Sequence, residues 1–217
     1  MKNKCELTVK QVRALLLVAP KSDIRYYLNG VFIDFGRALA VVTDGHKMVF
    51  YRVPECVGTG SVILGRDALE TVSRGGRITD VIEFRQEENA TALDSVELVR
   101  AGSVLSVNPV DGKYPDFARV MPDVLEHGVD FAPAQYDPEI LQTVGKCLRA
   151  LTEYSDRDYP ITLHNGGAAG VMYCPGAERE AIGIVMPFRA PDGGVNCRAH
   201  KDFFETETET EAKAKTA

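Results

Sequence analysis

The chain has 217 residues, 45% of them hydrophobic, and a formal net charge of −6. This length can bury one large core or two small ones. The acidic balance argues against a protein that binds nucleic acid over its whole surface, because such proteins usually carry a net basic charge that displaces phosphate counterions. A locally basic face is still compatible with this acidic net charge.

Membrane and metal signals are weak. No stretch reaches the roughly 18 to 20 uncharged apolar residues of a membrane span, and the N-terminus lacks the apolar region of a signal peptide. We therefore expect a cytosolic protein with no membrane partner. The cysteines have no C-x-x-C spacing, so we expect reduced packing residues rather than a disulfide framework or a zinc site. They are Cys5, Cys56, Cys147, Cys174 and Cys197.

The segment from Cys5 to Pro54 predicts a β-α-β-β-β unit. A short strand precedes the helical stretch LTVKQVRALLLVA, in which Val9, Val12, Leu16 and Ala19 share one face. Three strand-like runs rich in β-branched and aromatic residues follow, broken at Asn29-Gly30 and Asp44-Gly45, which favour positive-φ turns. The runs are IRYYLNGVFIDF, ALAVVTDGH and KMVFYRV.

The same order recurs twice, so the sequence predicts three α+β units of about 50 to 60 residues each. The second unit is SVILG, the helix RDALETVSRG, then DVIEFRQEE, SVELVRAG and SVLSVNPV. The third is GVDFAPA, the helix DPEILQTVGKCLRAL, then YPITLHN, AGVMYCP and AIGIVMPF. Residues 191–217 end in a low-complexity Glu/Thr/Lys/Ala run that predicts a disordered tail.

A set of strings in this order resembles the β sliding clamp, the β subunit of bacterial DNA polymerase III. The strings are RYYLNG (25–30), TDGHKM (43–48), DGKYPDFARVMP (111–122) and VMPFR (185–189). The first two match the family's middle domain, the third its exit linker and the fourth the end of its last domain. The resemblance implies a DNA-clamp-like fold with residues 1–122 as a clamp-like domain and 123–190 as half of another.

The resemblance also implies a site. The family captures partner peptides in an apolar pocket between the middle and last domains, which suits a linear peptide with apolar anchors. Carried over residue by residue, the pocket comprises Leu28, Thr43, Gly45, His46, Lys47, Met48, Pro115, Arg119, Val120, Val185, Met186, Pro187, Phe188 and Arg189. One family string departs here, since FAPAQY has Ala132 in place of asparagine.

A DNA-facing surface is the second implied site, since the family lines its DNA channel with helices. Segregated cations there would let an acidic protein face phosphates, although solvated surface cations and a strand tyrosine in the core are the alternative interpretations. The residues concerned are Arg25, Tyr26, Tyr27, Lys10, Arg13, Arg74, Arg77, Lys146 and Arg149.

These features favour a non-enzymatic replication accessory protein that needs no cofactor. The implied partners are clamp-binding peptides of DNA polymerase or of repair proteins, double-stranded DNA, and a second copy of the chain in a homo-oligomer. The abridged form suggests a phage or another mobile element, and a decoy that occupies host partner peptides is an alternative. A small enzyme that uses His46 with Asp44 or Asp111 is the alternative from another class.

The tail carries one further hypothesis. His200 to Phe204 loosely resembles the peptide motif of the family's partners, with Phe203 and Phe204 as paired apolar anchors. The segment is either a tethered pseudo-ligand that competes for the pocket or merely an apolar spot in a disordered tail.

Overall fold

The structure is a computed structural model that describes residues 3–87, 90–121, 135–152, 161–165 and 169–187. The predicted disordered tail and the first predicted strand of the third unit, GVDFAPA, lie outside these residues. Within the described ranges no helix is long and apolar enough to cross a membrane.

The first unit has the predicted order of elements. They are β1 (Asn3–Thr8), α1 (Val9–Val18), β2 (Gly30–Asp34), β3 (Leu39–Thr43) and β4 (Lys47–Arg52). Thr8 and Gln11 form a capping box, in which each side chain bonds the backbone of the other and so satisfies free amides at the start of α1. The predicted apolar face of α1 is buried, including Val12 and Leu16.

The prediction was wrong just before β2. Tyr26–Leu28 form a 3-10 turn instead of a strand, because the Asn29 amide group accepts from the Asp23 backbone amide and donates to the Asp23 carbonyl. Nor is Gly30 a positive-φ turn residue, since it lies in β2 against the Leu64 carbonyl, where a Cβ would clash. Gly45 does have the predicted positive φ, at 92°.

The second unit agrees with its prediction and adds one short strand before it. The elements are β5 (Cys56–Val57), β6 (Ser61–Gly65), α2 (Arg66–Ser73), β7 (Val81–Gln86), β8 (Val96–Arg100) and β9 (Ser103–Val107). The predicted elements are all present; β5, only two residues long, has no periodic signal that the sequence could reveal.

The described part of the third unit is a helix followed by strands, as predicted. The elements are α3 (Pro138–Leu151), β10 (Thr162–Asn165), β11 (Gly170–Tyr173) and β12 (Ala181–Val185). The Asp137 side chain accepts from the Glu139 amide and caps α3, with Pro138 at the first helical position. Gly183 lets α3 approach β12, because a Cβ there would clash with Val144.

The first two units exchange their opening strands. β1 joins the strands of the second unit in a five-stranded sheet with the order β5-β1-β7-β8-β9. β6 joins those of the first unit in a seven-stranded sheet with the order β10-β11-β12-β4-β3-β2-β6. Because β12 pairs with β4, the third unit continues the sheet of the first. The division into domains at residue 122 stays a prediction.

The seven-stranded sheet has a different apolar layer on each face. Alternate residues of β4 show this, since Val49 and Tyr51 belong to the large core beneath the helices while Met48 and Phe50 belong to a smaller cluster on the opposite face. Strand side chains alternate between faces, so one sheet supports both layers. The smaller cluster leaves the outer face partly open, and the candidate site lies there.

Candidate functional site

An apolar pocket with a cavity volume of ≈ 180 Å³ opens on the outer face of the seven-stranded sheet. It brings together a loop before β2, the β3–β4 turn, the segment after β9 and the end of β12. It is lined by Arg25, Leu28, Thr43, Gly45, His46, Lys47, Met48, Pro115, Val120, Ile184 and Met186. We call this the apolar pocket.

The β3–β4 turn forms the polar rim of the apolar pocket. The Thr43 hydroxyl donates to the Lys47 carbonyl at 2.8 Å and accepts from the Gly45 amide at 3.0 Å. Asp44 Oδ1 accepts from the amides of His46 and Lys47, each at 2.9 Å, and its other oxygen pairs with the Lys47 ammonium. The turn is therefore held by its own side chains before any ligand arrives.

The charge on Asp44 is stabilised despite its partial burial. Burial alone would raise the pKa of this carboxyl, but the Lys47 ammonium and the backbone amides of the turn hold the pKa below its usual value. Asp44 is therefore ionised at neutral pH, and the ion pair fixes the ammonium at the pocket edge.

Arg25 connects the loop before β2 to the same turn. Its guanidinium donates to the Asp44 carbonyl at 2.9 Å and to Asp23 Oδ2 at 2.7 Å. The Arg25 side chain lowers the pKa of Asp23 to about 2. The positive φ of Gly45 favours glycine, and a Cβ there would lie 2.9 Å from the guanidinium and displace it. Arg25 was predicted as a DNA contact, and the structure places it at the rim of the apolar pocket.

The end of β12, which is distant in sequence from the other walls, closes the apolar pocket. The Met186 amide donates to the His46 carbonyl at 2.9 Å, and the side chains of Ile184 and Met186 line the cavity. Val185 lies between them and points to the opposite face, where it is fully buried in the helix-covered core. The structure therefore does not bring Val185 into the pocket and adds Ile184, which the period-2 alternation of a strand could have revealed.

The segment after β9 supplies the remaining apolar wall. Pro115 and Val120 line the cavity, whereas Arg119 is 85% exposed and pairs with Asp116 instead. Tyr114 anchors the segment, since its buried hydroxyl donates to the Val41 carbonyl at 3.3 Å. Pro187 is half-buried beside Met186 but does not line the cavity. Phe188 and Arg189 lie outside the described residues.

A larger groove of ≈ 730 Å³ lies on the same face and differs in chemistry. Its lining mixes apolar side chains such as Phe32 and Ile63 with charged ones, which are Asp34, Arg37, Asp111 and Lys113. Asp111 lies in this groove and not beside His46, which lines the apolar pocket. In the described ranges no group of His, Cys, Asp and Glu is arranged to hold a metal ion.

Apart from Arg25, the predicted DNA-facing cations lie on or beside the helices, on the other side of the sheet from the pocket. Arg13 donates to the carbonyls of Ser73 and Gly76, at the end of α2, and Arg77 pairs with Asp80. Lys10, Arg74 and Lys146 have side chains with no partner among the described residues. Arg149 is half-buried on α3 and has an interaction of its own.

The predicted tyrosines lie near the apolar pocket rather than on the helices. Tyr26 is 58% exposed and meets the ring of Tyr27 edge to face, with 5.8 Å between centroids. Tyr27 packs beside Gly112, where a Cβ would lie 2.7 Å from the tyrosine Cβ. Tyr26 thus has the exposed face that stacking on a base would need, and Tyr27 is partly packed.

Comparison with solved structures identifies the fold. The DNA polymerase sliding clamp of Pseudomonas aeruginosa superposes with a TM-score of 0.56 at 16% identity, covering 87% of this chain and 67% of the clamp chain. The Helicobacter pylori β clamp bound to a DNA ligase peptide gives a TM-score of 0.62 at 12% identity over 87% of this chain and 66% of its own.

The chain has the β sliding clamp fold.

Sequence comparison finds the same resemblance over a shorter stretch. A β sliding clamp from Pseudomonas putida is 28% identical over 130 residues, which is 54% of this chain and 34% of the clamp. The matched region therefore spans about a third of that curated relative. No family model matches the chain.

Proposed function

We propose that the chain is a non-enzymatic, clamp-like accessory protein of DNA replication that captures short peptide segments of polymerase or repair proteins in the apolar pocket. The observation that carries the proposal is the composition of this pocket. Apolar side chains from Leu28, Met48, Pro115 and Met186 surround a cavity whose rim carries the ion pairs of Lys47 with Asp44 and of Arg25 with Asp23. A linear peptide with apolar anchors and a polar flank matches that arrangement.

The construction of the apolar pocket supports a binding role. Its walls come from segments far apart in sequence, yet hydrogen bonds of the rim turn and the Met186 amide fix them to each other. A preformed cavity lowers the ordering cost that a short peptide must overcome. The H. pylori clamp of the same fold is described with a DNA ligase peptide bound, and such a peptide is the natural probe.

The domain assignment belongs to the same proposal. Residues 1–122 correspond to the family's middle domain and residues 123–190 to half of its last domain, with the tail from 191 to 217 as an addition. The continuous sheet through β12 and β4 supports this assignment, because it places the end of the third unit beside the β3–β4 turn. The predicted residues Arg119, Pro187, Phe188 and Arg189 would then serve as flanking rather than lining residues, whereas Val185 is buried in the large core and would not contact the peptide.

The test is peptide binding by a pocket variant and a matched control. Met186→Glu places a carboxylate where the pocket offers mainly apolar contacts, so we expect at least a tenfold loss of affinity for a fluorescent DNA ligase peptide, equivalent to about 1.4 kcal/mol. Val104→Glu makes the same type of change at a site that is 58% exposed on β9, in the other sheet, and it should bind like the unaltered protein. Equal affinity in all three folded proteins would remove the pocket from the proposal.

We further propose that the helix-covered face lies toward double-stranded DNA. Lys10, Arg74 and Lys146 are available there for phosphates, and replacing all three with glutamate should weaken retention on DNA and flatten its salt dependence. Replacing Arg37, Arg52 and Lys113 on the other face with glutamate changes the net charge equally and serves as the control. If both triple variants lose DNA equally, net charge rather than a helix-lined face governs binding; peptide binding without DNA retention would favour the decoy.

A further inference from the structure

Two cysteines face each other at one edge of the five-stranded sheet. β1 and β5 pair antiparallel, with Cys5 directly opposite Cys56. The Glu6 amide donates to the Glu55 carbonyl at 2.9 Å, so the neighbouring position of the ladder is a hydrogen-bonded pair. Because hydrogen-bonded and non-hydrogen-bonded pairs alternate, Cys5 and Cys56 occupy a non-hydrogen-bonded pair.

This position has the geometry that a disulfide needs. Opposite Cα atoms of a non-hydrogen-bonded pair are about 4.5 Å apart, within the roughly 4.4 to 6.8 Å that disulfides span. Residues opposite each other in a ladder also point to the same face, and both cysteines contact the large core. Cys147 and Cys174 are buried, free thiols elsewhere in the structure.

We propose that Cys5 and Cys56 form a reversible oxidation site, at which a small disulfide of the glutathione class joins the two strands through a cross-strand disulfide. The Cys56 thiolate attacks one sulfur of the small disulfide, forms a mixed disulfide and releases one small thiol. The Cys5 sulfur then loses its proton, attacks Cys56 Sγ and releases the second small thiol. Two protein thiols are oxidised and one small disulfide is reduced to two thiols.

The exposures of the two side chains determine which sulfur reacts first. Cys5 is fully buried, whereas Cys56 lies at the edge strand and is partly accessible. The interaction of the two neighbouring thiols lowers the pKa of Cys56 and, together with burial, raises the pKa of Cys5. Cys56 is therefore the more thiolate-like and the more accessible of the pair, as an attacking thiol must be.

The bond would join parts of the chain that belong to different sheets. β5 lies in the chain between β4 and β6, which are both in the seven-stranded sheet, but it pairs with β1 in the five-stranded sheet. A disulfide to Cys5 would hold this crossover segment in place and restrict the unfolded chain. The apolar pocket is built from other segments, so oxidation should raise stability without changing peptide affinity.

Oxidation with oxidised glutathione tests the proposal in a Cys197→Ser background, which removes the cysteine that lies outside the described residues. We expect the protein to lose the mass of two hydrogen atoms, a non-reducing digest to contain Cys5 linked to Cys56, and dithiothreitol to reverse both changes. The thermal midpoint should rise on oxidation. Cys174→Ala is the matched control and should retain the link, whereas Cys56→Ser should not form it.

Two results would overturn the proposed Cys5–Cys56 oxidation site. A stable glutathione adduct on Cys56 without closure would show that Cys5 cannot reach it. A link to Cys147 or Cys174 would show that the pair is not the oxidised one. The digest of the Cys197→Ser protein, which keeps Cys5, Cys56, Cys147 and Cys174, tests the proposal even if Cys56→Ser does not fold.

Discussion

Replacing Asp44 with alanine should loosen the rim of the apolar pocket. The substitution removes the acceptor of the His46 and Lys47 amides and the partner of the Lys47 ammonium, while the Thr43 hydroxyl keeps its own bonds to the turn. Hydrogen bonds to a charged group contribute about 1.5 to 3 kcal/mol each, but water replaces part of this at a rim. We therefore expect a loss of about 2 kcal/mol in the free energy of unfolding, by analogy with single lost carboxylate contacts.

Peptide affinity should fall with this change because Gly45, His46 and Lys47 line the cavity. Binding would then have to order a turn that was previously fixed, and restoring order to even one residue costs about 1 to 2 kcal/mol. We expect the dissociation constant for the DNA ligase peptide, measured by fluorescence anisotropy, to rise about tenfold, which corresponds to about 1.4 kcal/mol.

Asp34→Ala is a matched control for this prediction. Asp34 accepts from the Arg37 amide at 2.9 Å in a comparable turn outside the apolar pocket. It should cost stability, about 1 kcal/mol for one lost bond, and leave peptide affinity unchanged. If Asp34→Ala weakens the peptide as much as Asp44→Ala does, general destabilisation explains the effect and the reasoning about the rim is refuted.

The stabilisation by Asp44 should also depend on pH in a defined direction. Its pKa in the folded protein lies below the unfolded value of 3.8, so the unfolded state binds the proton more readily. The difference in unfolding free energy between the unaltered protein and Asp44→Ala should be fully present above the unfolded pKa and decline as the pH falls through the folded pKa. A difference that grows on acidification would contradict the assignment.

Other predictions concern packing, assembly and the tail. Gly183→Val should lower the free energy of unfolding by about 1 to 3 kcal/mol through overpacking against Val144; denaturant unfolding would measure this loss, with Gly36→Val, at a turn position that has neither a positive φ nor a close contact, as the control. Among the described residues β10 is an edge strand of the seven-stranded sheet. Edge strands invite pairing, so the chain should self-associate and Leu163→Lys should shift its sedimentation toward the monomer; a strictly monomeric unaltered chain would contradict this. Deleting residues 196–217 should tighten peptide binding several-fold if the tail competes at roughly millimolar effective concentration, and equal affinities would show that it does not.

Local patterns were enough to predict most of the elements. The apolar face of α1 and the Asp137-Pro138 start of α3 are signals within a few residues, and runs of β-branched and aromatic residues indicate the strands. The turn at Tyr26–Leu28 escaped because it depends on Asn29 bonding the Asp23 backbone, a contact that β-propensity does not encode. The exchange of β1 and β6 between sheets is a long-range pairing with no local signature.

The site was predictable only as far as the family strings extended. They led to Leu28, Met48 and Met186, which the structure brings together. They also suggested Val185, because a contiguous string does not distinguish the two faces of a strand, and its neighbour Ile184 lines the cavity instead. Arg25 reached the pocket through its bonds to Asp23 and Asp44, which depend on the folded turn.

Methyl spectra of the methionines give the most direct test of peptide capture in the apolar pocket. Met48 and Met186 line that pocket, Met121 lines a separate groove, and Met172 lies in the core beneath the helices. On titration with the DNA ligase peptide, the account predicts that the methyl resonances of Met48 and Met186 shift together while those of Met121 and Met172 stay in place. Shifts confined to Met121, or binding that leaves Met48 and Met186 unmoved, would contradict it.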